Sequence, residues 1–247
     1  CLNAVATLAL QLDALAAQTK VVGEENVTTI SIKTNLVALY NDMKQFEKAE
    51  AMARDVLATG PVALGPDHQL VLGAQLNLGL TYYELGRLDQ AIETQRDVLP
   101  RLLRKLGKNH PWTWEAQTAL YNACTKAGKK DEAAAVRNEM IAALQSLCAA
   151  EDADPNALDR LAQMLLSEEE PSDVDIHAGL AATQRAVKRT SRQNAAHLHT
   201  LARALKLAGD SAAAVQAERE AIAILPEGSV HRADYEASLA GFQTASD

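Results

Sequence analysis

Little in this sequence favours a β-sheet. Aromatic residues make up only 4% of the 247-residue chain, and the β-branched residues that strands prefer are thin beside alanine and leucine. Glycine (12) and proline (7) are few, so the composition is that of a helix-rich chain. Basic side chains are outnumbered 24 to 32, a net charge of −8. A general nucleic-acid binder needs a basic face to neutralise phosphates, so that class is set aside. Cys1, Cys124 and Cys148 are the three cysteines. They have no metal-ligand spacing, and an odd number closes no disulfide framework, so a reducing, cytoplasmic setting is expected. No apolar run reaches the roughly 18–20 residues of a membrane span, and no signal-peptide layout is present. The chain opens on Cys1 rather than methionine and reads as a fragment or a processed form.

What is present is a repeat. Gly23, Gly65 and Gly107 stand 42 residues apart; Asn35 and Asn77, Tyr40 and Tyr82, and Ala49, Ala91 and Ala133 keep the same step. Aligned on that step, "GEENVTTISIKTNLVALYNDMKQFEKAEAM", "GPDHQLVLGAQLNLGLTYYELGRLDQAIET" and "GKNHPWTWEAQTALYNACTKAGKKDEAAAV" coincide at too many positions for chance. Each unit reads as two helices. Leu76, Leu80 and Tyr83 mark the apolar face of a first helix. It stops at Leu85-Gly86-Arg87, or at Ala127-Gly128-Lys129 in the next unit, where glycine suits a left-handed helix end. Asp89, Asp131 and Glu132 fall in the first turn of the second helix, where acids suit the dipole.

These features resemble tetratricopeptide repeats, with "NLGLTYYELGRLDQA" carrying the family's glycine, tyrosine and alanine spacing. The 42-residue step, with Leu106-Gly107-x-x-His110-Pro111 between units, resembles the longer variant of kinesin light chain. Many bacterial proteins are similar, including regions attached to Ser/Thr kinases. The resemblance implies an all-α chain, an α-α superhelix or solenoid of antiparallel helix pairs. Its expected parts are 1–22, the second helix of a truncated repeat; repeats 23–64, 65–106 and 107–150; a degenerate repeat 151–192; a 34-residue-type repeat 193–228; and a capping helix 229–247. About 11 or 12 helices and no sheet are expected.

Chemistry finds no foothold. His110-Pro111 falls at a first helix start, where proline's missing N–H costs nothing, so it reads as punctuation. Trp112 and Trp114 are expected to pack between units. His197 and His199 lie two apart and point about 200° apart on a helix, so they cannot share a metal. Cys124 stands where sister repeats have tyrosine and reads as an inert buried thiol. The run Glu168-Glu169-Glu170 reads as a solvated loop. No P-loop, dinucleotide fingerprint or nucleophile elbow is present. The chain is expected to be no enzyme and to need no cofactor or metal.

Recognition remains. A concave wall of first helices would face an extended peptide, and an asparagine amide both donates to and accepts from its backbone. In the family this chain resembles, asparagines matching Asn35 and Asn77 often clamp peptide main chain; Asn122, one turn later in the third unit, is a further candidate. Asn41, Tyr83, Glu84 and Lys126 flank them, as do Thr34 and Thr118. His199, Arg203 and Lys206 share one face of the last repeat. The expected partner is a protein or an extended peptide, with no nucleic acid and no membrane. Two other readings stay open: self-association into a homo-oligomer, and service as the sensor or scaffold region of a larger signalling protein such as a bacterial Ser/Thr kinase.

Overall fold

The computed structural model describes residues 2–167 and 170–244; Cys1, Glu168 and Glu169, on which two sequence expectations bear, lie outside them. The described residues form twelve helices and no strand, as the two-helix pattern within each repeat predicts. The chain divides into two units, Cys1–Val136 and Arg137–Asp247.

The first unit holds α1 (Leu2–Val22), α2 (Val27–Asp42), α3 (Phe46–Leu64), α4 (Gln69–Glu84), α5 (Leu88–Leu106) and α6 (Pro111–Lys126), and α7 (Lys130–Cys148) starts there. Consecutive helices within α1–α6 pack on one another, and α2–α4 and α4–α6 also touch, so the first helices form one wall. Local chemistry sets the ends. The side chains of Asn26, His68 and His110 accept from the N–H groups of Thr28, Leu70 and Trp112 at 2.9, 3.2 and 3.2 Å, capping α2, α4 and α6. Pro111 follows its cap directly, as its fixed φ allows. Gly86 and Gly128 each have φ +72°, the left-handed conformation that reverses the chain between paired helices.

Small residues then let the pairs close. Ala49, Ala91 and Ala133 open the second helices at 0%, 1% and 6% exposure, inside a core with Leu36, Tyr40, Tyr82 and Leu120. At Gly79 a Cβ would stand 2.4 Å from Nε2 of Gln95. Gln95 is fully buried and donates to the Leu76 carbonyl at 3.1 Å, so its amide has little room to retreat. Cys124 takes the core place of Tyr40 and Tyr82, and burial pushes its thiol above the ordinary cysteine range, away from reactivity.

The second unit holds α8 (Pro155–Leu165), α9 (Asp173–Arg189), α10 (Ala195–Leu207), α11 (Ser211–Ile224) and α12 (Arg232–Thr244). Consecutive helices again pack, and α8 touches α10. The α8 end is capped from outside. The Arg137 guanidinium donates to the carbonyls of Met164 and Leu165 at 3.2 and 3.1 Å, satisfying acceptors that a helix end leaves orphaned.

Candidate functional site

In the first unit the wall of α2, α4 and α6 carries a cavity of about 520 Å³ lined by residues of all three helices. Asn35 and Asn77 both line it, so their common register places them at one concavity. Asn35 is exposed and Asn77 half-buried. The Asn77 Nδ2 donates to the Gly73 carbonyl at 2.9 Å, which fixes the amide plane and leaves the side-chain oxygen as the acceptor.

The same cavity holds residues that sequence reasoning did not assign to it: His68, Gln69, Gly73, Trp112 and Glu115. Gly73 explains the position of Trp112, because a Cβ there would lie 3.1 Å from Cη2 of the indole. The missing side chain lets the indole lie against α4, so Trp112 packs between repeats and lines the cavity at once. Trp114, two residues on, is buried. The His68 Nδ1 accepts the cap bond from Leu70, so in the neutral ring Nε2 is the donor. Glu115 is exposed, at the edge of the cavity it lines. Loss of water pushes its carboxyl above the usual carboxylate range.

The other first-unit candidates sit differently. Asn41 is a strut: its Nδ2 donates to the Asn77 carbonyl at 3.3 Å, and its Oδ1 accepts from Thr81 at 2.9 Å. Tyr83 is half-buried, and Lys126 lies over its ring at 4.5 Å from the centroid, a cation–π contact. Glu84 and Asn122 are exposed. None of these five lines the cavity.

In the second unit His199, Arg203 and Lys206 do share α10, but two of them have partners inside the fold. The Lys206 Nζ donates to Ser211 Oγ at 3.0 Å and to the Phe242 carbonyl at 3.3 Å. His199 lies 2.8 Å from a carboxyl oxygen of the fully buried Glu218 and stacks on Tyr235 at 4.2 Å. Arg203 is half-buried. Among the described residues no group of three or more His, Cys, Asp or Glu side chains could hold a metal ion.

Asp159 completes this polar cluster. It is 6% exposed, and one oxygen accepts from Gln163 at 2.8 Å. Burial pushes its carboxyl above the usual 3.8, against the pull of Thr200, His197 and Gln163. The folded state therefore prefers the protonated acid. That preference is fully present below pH 3.8 and is lost as pH rises through the folded value. Asp159→Asn is expected to raise stability by about 1 kcal/mol at pH 7 and to add nothing once the acid itself is protonated. Urea melts at the two pH values check this, and an equal or lower midpoint at pH 7 rules it out.

Comparison with known proteins adds the family pattern. Two family models described as tetratricopeptide repeat match residues 29–70 and 70–146. Among solved structures, the chain is similar to the nearly identical TPR-like repeats of a Podosopora anserina putative kinesin light chain. The identity is 20%, the coverage 78% of this chain and 92% of that one, and the TM-score 0.58. It is also similar to BtubC (BKLC) from P. vanneervenii, at 17% identity, 92% and 95% coverage, and a TM-score of 0.64. No curated protein matches. Likeness at these identities establishes the fold. Among the described residues no helix is long and apolar enough to cross a membrane.

Proposed function

Residues 29–146 of this chain belong to the tetratricopeptide-repeat family, and from that premise we propose a non-catalytic protein-interaction scaffold that holds an extended peptide in the concavity of its first unit. The observation that carries the reading is the placing of Asn35 and Asn77, equivalent residues of successive repeats, on one cavity of about 520 Å³. That volume suits a segment of peptide. An extended backbone offers its N–H and C=O groups at regular intervals. Asn77, with one N–H held by the Gly73 carbonyl, presents its oxygen to accept a peptide N–H; Asn35, exposed, can donate and accept.

Each partner lost from a desolvated groove costs about 1–3 kcal/mol. Asn35→Ala with Asn77→Ala is therefore expected to weaken peptide binding at least about tenfold. The fold should stay intact, since alanine is the better helix former. Panning a random peptide library against the wild type and the double variant tests this. Selection of the same peptides with equal affinity by both would reduce the asparagines to ordinary surface.

Self-association is the second reading, favoured by one observation: Leu10 and Val21 on α1 are 71% and 79% exposed, an apolar surface suited to another copy. Light scattering of the same samples separates the two, since a concentration-independent monomer leaves only the groove.

A further inference from the structure

The cavity of the first unit also has a chemical preference. Of its lining residues only His68 and Glu115 ionise, and no lysine or arginine is among them. An anionic side chain entering here would meet the Glu115 carboxylate with no cation to balance it. A purely apolar one would cover that carboxylate and the amides of Asn35 and Asn77 without bonding to them, which carries a desolvation cost. Glu115 lines the cavity without a lysine or arginine beside it in the lining, and partial burial raises its carboxyl above the usual range. One helical turn away, Trp112 presents an indole held against Gly73. Carboxylate and aromatic ring on adjacent turns of one helix match a single kind of group: a cation on an apolar stem.

We propose that this cavity receives an arginine or lysine side chain of the bound peptide, its charge against Glu115 and its stem on Trp112. The proposal rests on the groove reading for the peptide backbone, and adds which side chain the groove selects. Arginine is the better fit of the two, because its plane can stack on the indole while its N–H fork meets the carboxylate.

The test is a positional-scanning library of N-acetylated, C-amidated nonapeptides applied to the full chain, with a second probe that needs no peptide backbone. The wild type is expected to enrich arginine or lysine at one position by about tenfold, the size of a partly desolvated cation–π and charge contact. Glu115→Gln, which keeps shape and removes charge, is expected to abolish that enrichment and leave selection elsewhere unchanged. Asn35→Ala with Asn77→Ala is expected to lower affinity at every position without changing which residue is preferred. No enrichment of basic residues, enrichment of acidic or apolar ones instead, or enrichment that survives Glu115→Gln overturns the proposal. The second probe is N-acetyl-arginine N-methylamide, titrated while the Trp112 indole resonance is followed, with the glutamine analogue as control. If the wild type captures no peptide, the backbone-groove reading fails, and this arm still decides: an arginine-dependent shift lost in Glu115→Gln upholds the cavity's preference, and no shift overturns it.

Discussion

Ala91→Trp is expected to destabilise the chain by at least about 3 kcal/mol and to lower its melting temperature by on the order of 10 °C. Ala91 is 1% exposed and packs in one cluster with Leu78, Tyr82 and Ile92, where α5 meets α4. Protein interiors are packed as densely as organic crystals, so an indole has no void to enter. It must drive the two helices apart or leave its rotamer, and adding even a few methylenes to a full core costs about 1–3 kcal/mol. Ala133→Trp, at the equivalent position in the next repeat and 6% exposed, should behave alike. The exposed neighbour Gln90 supplies the control: Gln90→Trp changes the same helix without entering the core. Thermal melts of the variants check the prediction, and an Ala91→Trp midpoint equal to wild type means the helices do not approach closely there.

The other large effect belongs to His199. Glu218 has no exposure, and one of its oxygens has its partner in the His199 ring at 2.8 Å, while the other is buried with none. Removing one member of a buried polar pair costs about 3–5 kcal/mol, because the survivor keeps its desolvation and loses its compensation. His199→Ala also removes the ring stacked on Tyr235 of α12, a contact of about 0.5–1.5 kcal/mol. A loss of about 3 kcal/mol is expected, with α12 the first element to loosen. Replacing both members with apolar residues, His199→Phe with Glu218→Leu, should recover most of it. Urea titration gives both numbers. A loss under about 1 kcal/mol for His199→Ala would mean that water reaches Glu218 readily.

The fold class was legible in the sequence because a repeat states it several times over: a glycine at a fixed interval, an alanine opening each second helix, a cap before each first helix. The turn of the first repeat was less legible. Lys44 holds φ +56° where Gly86 and Gly128 stand in the next two repeats. The reversal is closed by a backbone bond, Gln45 N–H to the Tyr40 carbonyl at 2.8 Å, as Arg87 to Tyr82 and Lys129 to Cys124 close theirs at 2.9 Å, so a lysine tolerates the strain. The asparagines of the candidate groove were visible through their register. The cavity's other wall was not, since Gly73 and Trp112 meet across repeats and each alone reads as ordinary: a helical glycine and a packing aromatic. The α10 face showed the opposite failure. A spacing of four and three places His199, Arg203 and Lys206 on one side of a helix, but only the fold reveals that Glu218 and the Phe242 carbonyl already engage two of them.

The pairing of Gly73 with Trp112 limits how freely the repeats can be exchanged. At the 42-residue step Gly73 is matched by Ser31 and Glu115, and Trp112 by Thr28 and Leu70. A glycine therefore faces an indole at one junction alone of the three aligned repeats. Moving the second repeat elsewhere in the array would carry the notch without its plug, and moving the third would bring the plug against a side chain that blocks it. Interchangeable modules hold the chain together, but the cavity is owned by a junction, and it can be inherited only when two neighbours are copied as a pair.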